Sequence, residues 1–464
     1  MIRAFSTIFA AGLIGLAAQL AHGQPRPMPP DVTNLSLHPA AATRPAWDFP
    51  LLPNRVDQHP GNAAQLHMIA ALAAPNSFSE EIFDRYRDMS MADLAKVDLA
   101  KELEPYKTKM EIVASAARRD HAEWETNLRE RGALTMLTYL NPMRPFIRVL
   151  CLKSRWQIAR HDWEGACYTL QTGFAICDQL NDHPALIQGL VQCGMLDALI
   201  ERLEDWSAEP GAPNLYWALS DLPQPLENLR GISQIEQAEI YFTFPQLDAH
   251  HQREASAGDW KKILRQMQQL APMYGNKAVS TAELTVLVAA KYPAARAAML
   301  KTGKTAAVVD AMSLDQVVGA YWLAEYEAKS ADAWHLWQLP YWQGLGRKPD
   351  TTDSNEFEAT REAAEQNPFF VMARRVRSAR WQFARIEQRI GALRLIEAVR
   401  DYASAHDGKL PANLTDVTSL PLPVDAVTGR PFRYHVDGNT ATVELSYDVD
   451  AQQIKQIYHL TIAH

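Results

Sequence analysis

From about Asn62 to Trp342 the chain runs in Ala-rich, Leu-rich and charged segments punctuated by Pro and Gly, with few of the β-branched alternations that strands require. A stretch of that kind folds by packing helices. The 464 residues hold only 21 Gly against 28 Pro, too few glycines for a chain built from nucleotide-binding loops or many tight hairpins. Residues 61–343 are therefore predicted to form an α-helical domain. Its clearest unit is a helical hairpin, Phe146 to Arg160 and Trp163 to Leu180 around a His161-Asp162 turn, followed by a third helix from Pro184 to Trp206. Asp162 suits the N-cap of the second helix, Pro184 suits a helix start, and Asn214 suits the cap of a short helix ending at Ser220.

Residues 344–366 are rich in Asp, Thr and Glu and read as a linker. Asn367-Pro368 then pairs an N-cap residue with proline at the first helical position. Met372, Val376, Ala379, Phe383, Ile386, Ile390 and Leu393 recur at alternating spacings of four and three, which predicts a long helix with one apolar stripe. Gly408 suits its C-cap, and Pro411 ends it. Asp437-Gly438 fits a type I′ turn between two strands, and Ile454 to Ile462 supplies a third. The expected architecture is mainly α: a helical-hairpin domain, then a small α+β module over 367–464 with one long helix and a short antiparallel sheet.

Residues 1–23 read as a signal peptide, with Arg3 as the charged region, Ala4 to Leu20 as the apolar run and Ala21-His22-Gly23 as a small-x-small cleavage site. An exported protein, periplasmic or extracellular, follows from that reading. The alternative is an uncleaved anchor, for which the apolar run is short of the ~20 residues that span a bilayer. Beyond it the sequence predicts no transmembrane span. Nine prolines in residues 24–60 predict an extended leader that contributes little to the core. A formal net charge of −8 has the wrong sign for a general nucleic-acid binder.

Cys151, Cys167, Cys177 and Cys193 lie within 43 residues, and export permits disulfides. The two 26-residue separations favour the pairs Cys151–Cys177 and Cys167–Cys193, against a second reading of four reduced thiols as small core residues. Gly303-Lys304-Thr305 lacks the first glycine of a phosphate loop, and Asp248, His250, His251 and Glu254 do not match a metalloprotease helix, so neither a cofactor nor a metal is expected. Asp448 and Asp450 alone are too few for calcium. Tyr321, Trp322, Trp334, Trp337 and Trp342, with Tyr326 and Tyr341 and beside Glu325, Glu327 and Asp332, form the best candidate ligand surface, because aromatic faces stack on sugars and paired carboxylates cleave glycosides. The same spacing also fits a buried helix face. Arg374, Arg377, Arg385 and Arg389 belong to a run of arginines that either docks on an acidic surface or forms the solvated side of the long helix.

Three resemblances accompany these readings. Ser154, Ala166 and Gly173 occupy small-residue positions similar to those of tetratricopeptide repeats, although no second copy occurs at a 34-residue period. The run Gly211 to Pro225, with Leu339-Pro340-Tyr341, resembles a family of secreted bacterial helical proteins to which no activity is assigned. Gly408-Lys409-Leu410-Pro411, Leu422-Pro423-Val424-Asp425 and Thr428 to Tyr434 resemble the periplasmic part of type II secretion pseudopilins, which implies a helix leading into a small sheet. The function expected is a non-catalytic envelope binding or scaffold protein that holds a protein or an envelope polymer on helical surfaces. Its alternatives are a secreted glycan hydrolase using carboxylates near 321–342 and an accessory of a secretion or pilus-like machine.

Overall fold

The computed structural model describes residues 30–43, 48–75, 77–182, 184–247, 254–274, 279–344, 366–372, 376–447 and 454–463. Ten helices of ten residues or more occur among them: α1 Ala63–Leu72, α2 Lys107–Ala116, α3 Leu140–Ala159, α4 Trp163–Gln179, α5 Leu186–Ala208, α6 Leu229–Thr243, α7 Ala257–Leu270, α8 Thr281–Lys301, α9 Leu314–His335 and α10 Val376–Ala405. The strands are β1 Asp31–Leu37, β2 His59–Asn62, β3 Arg119–His121, β4 Arg433–Asp437, β5 Thr440–Ser446 and β6 Ile454–Ile462. The chain is mainly helical, with one small mixed sheet of four strands.

The helical hairpin forms where its caps place it. Asp162 Oδ1 accepts from Gly165 N at 3.0 Å and starts α4, while His161 takes the left-handed turn at φ 57°. The first helix begins at Leu140, six residues before the expected Phe146, because Pro145 lies close enough to the start to forfeit only one intrahelical bond. A Cβ at Gly173 would lie 2.6 Å from Leu199 Cδ2, so this glycine sets how closely α4 approaches α5. Glu236 Oε1 accepts from Leu186 N at 2.9 Å, an acid lent by α6 to start α5 two residues beyond Pro184.

Asn367 Oδ1 accepts from Phe369 N at 3.0 Å, but the element it caps is a 3₁₀ turn, Pro368–Met372; the long helix spans Val376–Ala405. The expected stripe of Ala379, Phe383, Ile386, Ile390 and Leu393 is buried. So are Ala384, Ala392, Leu395, Ile396, Ala398, Val399 and Ala403, which point in other directions around α10. The helix therefore has no single apolar face. It packs against α5, α9, the short helix Tyr216–Ser220 and β5, and one continuous apolar core includes Leu199, Trp337, Phe383, Val443 and Tyr458. At its end Gly408, at φ 73°, donates to Ala403 O at 2.9 Å, the expected cap.

Two expectations about strands are corrected. The hairpin turn centres on Gly438-Asn439, with Gly438 at φ 57° and Asn439 outside the positive-φ region, so one left-handed residue suffices where a type I′ turn needs two. The sheet is mixed and not purely antiparallel, because the leader supplies its fourth strand. The order is β1-β6-β5-β4, and β1 runs parallel to β6 from Asp31 opposite Gln456 to Leu37 opposite Ile462. Leu35 and Leu37 enter the core. Beyond the strand, Ala40 N donates to Arg400 O at 3.2 Å, Ala42 N to Asp401 Oδ1 at 2.8 Å, and Asn214 Nδ2 to Ala40 O at 2.9 Å. Parallel pairing between chain ends needs a long crossover, here almost the whole protein.

A leader without a structural role would tolerate truncation; a core strand does not. Leu37→Ala is expected to cost about 3 kcal/mol in urea unfolding, the usual loss for a fully buried leucine. A change below about 0.5 kcal/mol would mean that β1 does not contribute to the folded core.

Candidate functional site

The aromatic cluster comes from α9 and the turn Leu336–Gln338 that follows it. Trp322, Trp334 and Trp337 are 0%, 2% and 2% exposed. The Trp334 and Trp337 rings meet at 4.6 Å, and Trp337 stands edge-on to Phe383 of α10 at 5.5 Å. Tyr326 packs on Phe369 and Phe370, and Tyr341 is buried. Tyr321 and Trp342 are partly buried; Trp342 covers Gly429, where a Cβ would come within 2.4 Å of its Cδ2. The carboxylates are engaged in helix packing: Glu325 Oε2 accepts from Asn367 Nδ2 at 3.2 Å and lies near Lys329, while Tyr241 donates to Glu327 Oε1 at 2.7 Å. Asp332 is exposed. Trp337 thus joins the turn after α9 to α10, and the three buried tryptophans offer no stacking platform, as the spacing of a buried helix face allowed.

Among the described arginines of α10, Arg380, Arg389 and Arg400 are buried and Arg385 and Arg394 are partly buried. Arg389 donates to Asp197 Oδ1 at 2.8 Å and to Glu204 Oε1 at 2.7 Å, both on α5, and Arg385 also pairs with Asp197. Tyr458 of β6 donates to the same Glu204 oxygen at 2.7 Å, tying sheet, α10 and α5 at one point. Burial opposes the charge on Arg389, but Tyr458, Glu204 and Asp197 outweigh it and raise its pKa. Further along α10, Arg400 and Glu397 are both fully buried and pair at 2.8 Å; Glu397 also accepts from Ser207 and Leu215 N, and Arg400 donates to His38 O and Ala212 O. Of the four arginines expected on a docking face, Arg385 and Arg389 dock on the chain's own acidic helix. Arg374 and the side chain of Arg377 lie outside the described residues, as do Asp248, His250, His251, Asp448 and Asp450.

All four cysteines are free and buried, and the Cys151–Cys177 and Cys167–Cys193 bonds are not present. This is the arrangement of small core residues. Burial pushes the Cys151 and Cys167 thiols up to about 12, so they stay protonated at neutral pH. Cys167 Sγ donates to Pro50 O at 3.3 Å, and Cys193 Sγ lies 3.6 Å from Glu227 Oε1.

A different surface collects accessible polar groups. On the outer face of the sheet, Asn34, His459 and Thr442 form one cross-strand row, and Ser36, Thr461 and Thr440 form the next. Asn34, Leu35, Ser36, Thr440, His459 and Thr461 line a cleft of about 420 Å³. Thr442, itself 8% exposed, lies 3.2 Å from His459 Nδ1 and orients the ring. The lining offers hydroxyl, carboxamide and imidazole groups and carries no carboxylate, ammonium or guanidinium. Sequence reasoning missed this cleft because its rows join residues more than 400 positions apart. The signal was the alternation in Asn34-Leu35-Ser36-Leu37 and His459-Leu460-Thr461-Ile462, the first of which sits inside a proline-rich stretch.

No protein-family model, curated protein or solved structure matches the chain. Among the described residues no group of three or more His, Cys, Asp or Glu is placed to hold a metal ion, and no helix is long and apolar enough to cross a membrane.

Arg389→Met leaves Asp197 and Glu204 short of a buried cation and is expected to cost about 3–5 kcal/mol in urea unfolding. Adding Glu204→Met should recover part of the loss, the signature of a coupled pair. A solvated arginine would give less than about 0.5 kcal/mol for the single change.

Proposed function

We propose that this chain is an exported, non-catalytic binding protein of the cell envelope that holds a hydroxyl-rich polysaccharide on the outer face of its sheet. The observation that carries the reading is the cleft between β1, β6 and β5, lined by Leu35 and by hydrogen-bonding side chains with no carboxylate, ammonium or guanidinium among them. Paired donors and acceptors on adjacent strands, about 5 Å apart, suit the hydroxyls of a sugar ring. Its volume falls within the ~300–1,000 Å³ of small-ligand sites. The helical surfaces expected to bind are engaged elsewhere: the tryptophans in the core and Arg385 and Arg389 on α5. A glycan hydrolase built on the 321–342 cluster would need an open platform and free carboxylates, and the burial of Trp322, Trp334 and Trp337 argues against it.

The test is cosedimentation of the purified chain with isolated murein sacculi, with reducing ends assayed in the supernatant. Retention without release of reducing ends is expected. Thr461→Arg, which blocks the cleft from a solvent-facing position, should reduce retention at least tenfold and leave the urea midpoint unchanged. Retention indifferent to Thr461→Arg would remove the cleft from the reading. Release of reducing ends that Glu325→Gln abolishes would establish the hydrolase.

A further inference from the structure

Glu227 is a carboxyl group in the core that the binding reading does not use. It ends a surface segment, 221–228, in which Asp221, Pro223, Gln224, Pro225 and Asn228 are exposed while Leu222, Leu226 and Glu227 turn inward. Two anchors hold this segment. One is Asn181, whose Nδ2 donates to Leu226 O at 2.8 Å and whose Oδ1 accepts from Asn228 N at 3.0 Å. The other is Glu227 itself, whose Oε1 receives the Cys193 thiol and whose Oε2 is buried without a hydrogen-bond partner.

The titratable groups facing Glu227 are Cys177 from α4, Cys193 from α5, and Arg380 and Glu387 from α10. Burial raises both thiols well above their ordinary range, so they carry no charge at neutral pH. Arg380 lies 3.5 Å from Glu387, and Arg385, close to Cys193, is paired with Asp197. One guanidinium therefore stands against two carboxyl groups, the buried Glu227 and the partly buried Glu387, and it is paired with Glu387. An ionised Glu227 would leave an uncompensated negative charge in the core, which costs several kcal/mol unless the group takes up a proton or leaves.

We propose that Glu227 is a proton-held latch: as a neutral acid it fastens the 221–228 segment against α5 and α10, and ionisation releases that segment into solvent. Burial and the charge of Glu387 push its pKa up to about 8, whereas an exposed glutamate titrates near 4.5. The folded pKa lies above the unfolded one, so the closed segment binds the extra proton. Closure is therefore fully favoured below about 4.5, weakens as pH rises, and levels off above about 8. The segment opens locally, as a unit less stable than the core.

The experiment is site-resolved hydrogen exchange on the full chain between pH 4.5 and 8.5, corrected for the chemical exchange rate. Protection of amides in 226–232 should fall by about tenfold per pH unit through the middle of that window and flatten near 8. Amides of α8, remote from the cluster, should show no such fall. Glu227→Gln should remove the slope while the near-UV circular dichroism stays native. Glu387→Gln relieves the repulsion and should bring the plateau to lower pH with a smaller total fall. Constant wild-type protection, or an unchanged slope in Glu227→Gln, overturns the latch. If Glu227→Gln does not fold, a Glu387→Gln profile superimposable on wild type overturns it equally.

Discussion

The contact between α10 and α5 organises this protein, because α10 carries arginines into the core, away from bulk solvent. Arg389 reaches Asp197 and Glu204, and Arg400 reaches Glu397 and two backbone carbonyls. An ion pair of this kind adds little net stability over an apolar replacement, since the desolvation cost cancels much of the attraction. Its consequence is geometric. A guanidinium has a planar set of donors, and Arg389 aims two of them at Asp197 and Glu204, so α10 is held to one rotation and one axial register against α5. Tyr458, sharing Glu204 with Arg389, extends that register to the sheet.

From that register the remaining architecture follows. With α10 oriented by its polar contacts, its apolar residues are available to every neighbour, and Trp337, Tyr216 and Val443 close around it from three elements. The carbonyls of His38 and Ala212 that Arg400 engages bring the leader and the segment after α5 to the same helix. β1 is thereby delivered to the open edge of β6. β1 then forms the new edge of the sheet. The cleft on the outer face exists only because β1 completes it, so the surface we assign to binding depends on the clasp in the core.

Much of the fold was legible in local chemistry. Asp162, Asn367 and Gly408 act as caps because their side chains or conformational freedom satisfy backbone groups within a few residues. The hairpin of α3 and α4 and the strands β4 to β6 follow from periodicity. The candidate site was not legible. The Tyr321 to Trp342 spacing suits a buried face as well as a ligand surface, and periodicity reports which residues share a face, not what covers it. The arginine run posed the same ambiguity: charge predicts solvent unless a partner waits inside, and the partners Asp197 and Glu204 lie 192 and 185 residues before Arg389. Nothing around Glu227 marks it as buried, because the residues that enclose it come from three other helices.

By itself the sequence determined the helical character of the chain, the positions of its principal caps and turns, and three of the four strands of its sheet, because each depends on residues close together along the chain. Only the tertiary structure decided that the proline-rich leader supplies the fourth strand, that the basic helix is enclosed, and that the polar cleft faces solvent. Those outcomes depend on contacts between distant segments, where the desolvation of a charge or the pairing of a strand edge is settled by what the rest of the chain brings alongside it.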